Sequence, residues 1–226
     1  LAGISLRAPF FVYSISLAMA AVTALFFLSE KKLGKKIDLP TDQIGQTTLK
    51  QALKLRPYQI ALILAFINNW ILFGLRSSIL PLFVTEKLNS TALIAGIGLT
   101  LSALIQGLFM LNAGKYSDVK GRKAALLLGG IFVMFGILML SFTTNATLYF
   151  ISMALFGLGS AYVGTAPGSV VGDIIKGRGG QVIAAWQMAG DAGMIVGPIL
   201  VGLLTDYFSY QAAFLFSSGI WLIALI

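Results

Sequence analysis

Seven stretches of this chain are apolar for longer than any water-exposed surface element tolerates. They cover residues 8–28, 58–84, 91–111, 124–142, 148–171, 182–204 and a shorter run from 212 to 226, each with at most one charge. A helix needs about 20 apolar residues to cross the hydrocarbon of a bilayer, whereas a barrel strand needs about ten. In lipid every backbone N–H and C=O must be satisfied within the spanning element, which leaves helices for runs of this length. The expected fold class is therefore an all-α polytopic membrane protein, with six complete crossings and a seventh cut short. Composition agrees. The chain is 58% hydrophobic and only 11% charged, against about 25% charged residues in soluble domains.

The net charge of +8 could suggest a nucleic-acid partner, but its placement argues against one. Three connectors hold Lys31, Lys32, Lys35, Lys36, Lys50, Lys54 and Arg56, then Lys115, Lys120, Arg122 and Lys123, then Lys176 and Arg178. Among the cations only Arg7, Arg76 and Lys87 fall elsewhere. Such one-sided placement is the positive-inside pattern, so 29–57, 112–123 and 173–181 are expected on the cytoplasmic side of the cell membrane. The connectors between them, 85–90, 143–147 and 205–211, then face outward. The outward connectors carry two glycosylation-type triplets at Asn89 and Asn145. Residues 48–56 can form a turn or two of helix resting on the membrane surface, offering Leu49, Leu53 and Leu55 to lipid. Neither cysteine nor histidine occurs, which removes thiolate, disulfide and imidazole chemistry. No metal cluster, cofactor motif or nucleophile–base pair is visible, and an enzyme is not expected.

Between the third and fourth runs lies Gly114-Lys-Tyr-Ser-Asp118-Val-Lys-Gly121-Arg122-Lys123. It reads as a tight basic turn in which Asp118 can pair with Arg122. The stretch closely resembles the loop signature G-x-L-A-D-R-x-G-R-K of the major facilitator superfamily of secondary transporters. Gly114, Asp118, Gly121, Arg122 and Lys123 match, while Tyr116, Ser117 and Val119 depart from it. The resemblance implies that this loop is a conformational latch whose charged contacts differ between two end states. It also implies a particular segment of that architecture. Ser, Ala, Phe and Ser recur between Ser5–Ser14 and Ser209–Ser218, an offset that matches one six-helix repeat. Residues 1–28 would be the last helix of an N-terminal bundle, 29–57 the linker, and 58–226 the C-terminal six-helix bundle with its final helix truncated. The rest of the N-terminal half would be a partner within the same transporter.

Several groups at membrane depth are candidates for function. Counting from Gln181 places Asp191 roughly 15 Å deep, where a carboxylate must pair, hydrate or take a proton. Gln187 lies one turn earlier on the same face, with Trp186 beside it. Asn68, Asn69 and Trp70 sit near the middle of their run and suit a cavity for an organic molecule. Arg76 lies farther along and is expected to snorkel outward, with an anion-attracting role at a cavity mouth left open. Gly190, Gly193 and Gly197 form a small-residue strip for close helix approach. The glycines between Phe156 and Asp173, with Pro167, suggest a bending element. Gly193, Gly197, Pro198 and Gly202 resemble the G-x-x-x-G-P-x-x-G-G element of proton-coupled antiporters, with Val201 in place of one glycine.

The expected function is secondary transport of a small organic molecule by alternating access, with proton-coupled drug or metabolite efflux as the specific form. Protons and lipid are the other implied partners. Two alternatives stand beside it: a proton-coupled uptake symporter for a sugar or organic acid, and a non-transporting membrane receptor on the same scaffold.

Overall fold

The structure is a computed structural model that describes residues 7–27, 47–175 and 179–225. Lys31, Lys32, Lys35, Lys36, Lys176, Arg178 and Ser5 lie outside the described residues. The chain divides into two units, Leu1–Ile44 and Gly45–Ile226. The first contains α1 (Ala8–Phe27), an apolar helix of 20 residues. Its hydroxyls bond back into its own turns, as in Ser14 Oγ to the Phe10 carbonyl at 2.8 Å.

The second unit holds α2 (Leu49–Ala52), α3 (Arg56–Lys87), α4 (Ala92–Lys120), α5 (Arg122–Ser141), α6 (Ala146–Ile174), α7 (Gly180–Tyr207) and α8 (Tyr210–Leu225). No strand occurs among the described residues. Helices α3 to α7 are each long and apolar enough to cross a membrane.

Local chemistry sets the ends. Thr48 caps α2 through a reciprocal box with Gln51, satisfying two otherwise orphaned donors. Only one turn forms there, and Leu49 is half-buried while Leu53 and Leu55 stay exposed. Asn145 is the N-cap of α6, accepting from the Leu148 N–H at 2.9 Å. Asn89 adopts φ 48° in the α3–α4 turn, a left-handed conformation that asparagine tolerates better than most residues. Both glycosylation-type asparagines thus have local structural duties.

The basic connector differs from the sequence expectation. Helix α4 runs to Lys120, so Gly114, Tyr116, Ser117 and Asp118 are helical, and the reversal is made at Gly121 alone. Gly121 has φ 90°, a region open to glycine and costly for other residues. Charged residues beyond the hydrocarbon do not end a helix; they only end its contact with lipid.

Helix α3 is not uniform. Trp70–Ile79 and Phe83–Lys87 are wound as π-helix, the wider i→i+5 form that often marks functional sites. Gly74 lacks a side chain and Pro81 lacks an N–H, which loosens the normal ladder. Ser77 Oγ then donates to the Leu72 carbonyl at 3.0 Å, and Thr85 Oγ1 to the Pro81 and Leu82 carbonyls at 3.1 Å. Hydroxyls thus satisfy backbone oxygens that lipid could not.

Two close seams organise the bundle. On the first, α7 lies against α3 through glycine. A Cβ on Gly193 would strike the Phe66 carbonyl oxygen, one on Gly197 would lie 2.9 Å from Trp70 Cα, and one on Gly74 would lie 2.8 Å from the Gly197 carbonyl carbon. On the second, α6 fits between α4 and α5. A Cβ on Gly157 would strike the Ser102 backbone, and one on Gly159 would lie 2.5 Å from Val133 N. In lipid the helices gain little from apolar burial, so close van der Waals approach must supply the attraction. Gly157 and Gly159 are therefore packing surfaces within a helix that also carries Pro167. Helix α8 closes the unit by setting Trp221 Nε1 on the Gly130 carbonyl of α5 at 2.9 Å.

Candidate functional site

Consecutive helical residues point about 100° apart, and the expected trio 68–70 separates accordingly. Trp70 is 4% exposed and donates from Nε1 to Ser217 Oγ of α8 at 3.5 Å. Asn69 donates to the Ala65 carbonyl at 3.1 Å and touches the α7 seam at Gly190. Asn68 alone of the three faces a cavity between α3, α4 and α6. Trp70 is a core group, which corrects its expected place in a binding cavity.

The cavity has a volume of about 40 Å³ and brings Asn68 together with Gln106 of α4 and Ser160 of α6, above a floor that includes Phe156 and Trp221. None of these three polar side chains makes a hydrogen bond among the described residues. All three are half-buried, and three open polar groups around one space in an apolar bundle make a candidate recognition surface. Gln106 and Ser160 were missed by sequence reading, because each is a lone polar residue within an apolar run. A spacing signal was nonetheless present. Ser102 and Gln106 share one face of α4, and Phe156, Ser160 and Gly164 share one face of α6.

Arg76 adjoins this cavity. It is half-buried, with Nη2 3.4 Å from the Leu99 carbonyl and the guanidinium 5.7 Å from the Phe156 ring centre. The expectation of outward snorkelling is corrected: the side chain turns into the bundle, lining a small cleft with Leu80, Met153 and Phe156. An arginine at the centre of a membrane helix costs about 2.5–3.5 kcal/mol on insertion scales. A contact over an aromatic face offsets part of that cost. Phe156 lines both spaces and stands between Arg76 and the Asn68–Gln106–Ser160 group.

Asp191 and Gln187 lie on an exposed face of α7, opposite the buried seam residues Gly190, Gly193 and Gly197. The glycines occupy the face that α3 covers, which leaves Asp191 on the uncovered side of α7. Trp186 lies elsewhere, 3.6 Å from the Cβ position of Gly168, with its buried Nε1 unpartnered. Pro198 is inside α7, where it removes one N–H from the ladder. Gly202 faces open space.

At the end of the bundle bearing Arg56 and Lys120, Arg122 forms an ion pair with Asp173 and donates to the Ser169 carbonyl at 2.6 Å. The expected Asp118–Arg122 pair does not form, since the break at Gly121 destroys the one-turn neighbour relation between them. Lys123, the last cation of the signature, is exposed and without an ion pair among the described residues. At the same end Tyr58 OH donates to the Val182 carbonyl at 2.7 Å, tying α3 to α7. At the other end Tyr210 OH donates to Glu86 at 2.5 Å. No group of acidic, histidine or cysteine side chains able to hold a metal occurs among the described residues.

The sequence profile of the Major Facilitator Superfamily matches residues 62–226. The chain belongs to that superfamily. Among curated relatives, multidrug resistance protein MdtG of Proteus mirabilis is 25% identical over 158 residues, which are 68% of this chain and 39% of that protein. MdtG of Escherichia fergusonii is 24% identical over 159 residues, with the same shares. The chain thus spans about two fifths of the length of these relatives. Among solved structures, peptide transporter POT in complex with sulfate superimposes with a TM-score of 0.65 at 21% identity, over 75% of this chain and 36% of that one. A structure of proton dependent oligopeptide transporters gives 0.66 at 19% identity, over 75% and 40%. At these identities the likeness establishes the superfamily fold: a multi-pass, all-helical membrane protein.

Proposed function

We propose that this chain is the C-terminal part of a secondary transporter that expels a small organic molecule in exchange for protons. The observation that carries the reading is the set of unpartnered polar side chains Asn68, Gln106 and Ser160 around one cavity inside membrane-length helices. At about 40 Å³ the cavity holds little more than a water molecule. Alternating access rocks one helical bundle against the other around a site between them, and these side chains would supply this bundle's share of that site. The resemblance to MdtG favours export over uptake.

Asp191 is the proton-exchanging group in this reading. It lies midway along α7 and has no ion pair or hydrogen bond among the described residues, so it is free to meet both water and protons. The Arg122–Asp173 pair acts as a latch in one end state, and residues 29–57 and the Gly121 turn face the cytoplasm across the cell membrane. Residues 1–28 and 29–57 are the last helix of the N-terminal bundle and the linker, and 58–226 is the C-terminal bundle.

The test uses the full-length transporter in sealed proteoliposomes with an imposed pH gradient. Uphill movement of an organic probe should follow the gradient and stop when a protonophore collapses it. Asp191→Asn should keep downhill counterflow while losing the gradient's drive. Uphill movement that ignores the protonophore would refute proton coupling, and binding without any accumulation would point to a receptor.

A further inference from the structure

We infer that the substrate carries a negative charge, held at Arg76, and an apolar or aromatic body that lies along Phe156 towards Asn68, Gln106 and Ser160. The inference rests on the transport reading and adds the substrate's chemical class. A guanidinium has five N–H donors in a planar fork. Arg76 uses one in a 3.4 Å contact to the Leu99 carbonyl and presents its plane to Phe156 at 5.7 Å. It has no carboxylate partner among the described residues, where the ion pair found is Arg122–Asp173. Glu86, on the same helix, is engaged with Tyr210 at the end of α3. Charges buried without a partner are rare because they leave desolvation uncompensated. The remaining donors of Arg76 therefore suit an anionic ligand, and the planar fork matches a carboxylate, sulfonate or phosphonate in a bidentate fashion.

The spacing of these groups bounds the ligand's size. Asn68 and Arg76 are eight residues apart, at most about 12 Å along α3 and less where the winding is wider. Phe156 borders both the Arg76 cleft and the polar cavity, so its ring separates the charged and the polar ends of a ligand of that length. The amides of Asn68 and Gln106 and the hydroxyl of Ser160 then read polar atoms at its far end.

Three probes of one scaffold separate charge from shape: naphthalene-1-sulfonate, 1-naphthylmethanol and 1-naphthylmethylammonium. Affinity is measured by calorimetry on the purified full-length protein, so binding is read whether or not transport is proton-driven. The wild type should favour the sulfonate over the ammonium. Arg76→Gln should weaken the sulfonate about thirtyfold or more and leave the neutral alcohol within about twofold. Arg76→Lys should keep the order of preference. Equal wild-type affinity for sulfonate and ammonium overturns the inference even if the glutamine variant fails to fold. So does an equal loss for all three probes in Arg76→Gln. Proton-driven transport of the alcohol or the ammonium without sulfonate preference would sink this inference and leave the transport reading standing.

Discussion

Placing one methyl group on the seam between α3 and α7 tests the packing argument directly. In Gly193→Ala the new Cβ meets the Phe66 carbonyl oxygen, and in Gly197→Ala it lies 2.9 Å from both Trp70 Cα and Trp70 O. Ordinary contact begins near 3.4 Å, and the obstructing atoms are backbone, so side-chain rotation brings no relief. Helix α7 must retreat from α3 by about half an ångström for Gly197→Ala and by more for Gly193→Ala. A gap of 0.5–1 Å forfeits about a quarter to a half of the dispersion energy of the atoms involved, and overpacking of this kind costs about 1–3 kcal/mol. Gly202→Ala is the internal control, because its Cβ would meet nothing within 4 Å. There the better helix propensity of alanine should make the change neutral or slightly stabilising. The assay is the thermal midpoint in detergent, read as the surviving monodisperse peak in size-exclusion chromatography after heating. At about 2–4 °C per kcal/mol for a chain of this size, Gly193→Ala should lower Tm by about 2–12 °C and Gly197→Ala by less. Gly202→Ala should leave it within about 2 °C. If Gly193→Ala leaves Tm unchanged, or Gly202→Ala lowers it equally, the seam does not hold the two helices together.

Gly121→Ala places a side chain at φ 90° and should cost about 1–3 kcal/mol, visible in the same thermal assay. Asp173→Asn should cost only about 0.5 kcal/mol, since the Arg122–Asp173 pair is substantially exposed and solvent screens it. Arg122→Ala should cost more, because it also removes the bond to the Ser169 carbonyl; equal losses would refute that ranking. Tyr58→Phe deletes the hydroxyl that reaches Val182 and should lower stability by about 1 kcal/mol, measured against wild type by Tm.

The helices were legible because bilayer thickness imposes a length that few other folds require. Their ends were less so. Residues 112–120 carry Lys115, Asp118 and Lys120 and read as loop, yet they continue α4 because a helix persists freely into water. Partner choice was also hidden. Arg122 selects Asp173, 51 positions away, over Asp118 just before the Gly121 turn, and no local spacing encodes that choice. The direction of Arg76 depended on Phe156 and Leu99, which belong to other helices. The divergence of Asn68, Asn69 and Trp70, by contrast, follows from helical geometry alone and was available from the start. The close glycine approaches of α7 were legible as a strip, while the packing role of Gly157 and Gly159 on α6 needed the tertiary arrangement.

The two glycine seams join α3 with α7 as a pair, and α6 with α4 and α5 as a trio, while α8 bridges the two groups through Ser217 and Trp221. Asn68 and Arg76 belong to the pair, whereas Gln106, Ser160 and Phe156 belong to the trio. Every group proposed to grip a ligand therefore sits on one side or the other of a dividing plane. A molecule that touches both sides would draw the two blocks together, and its departure would let them part. Affinity at this spot would then vary with the angle between two stiff bodies, which gives a transport cycle a ready means of alternately seizing and letting go.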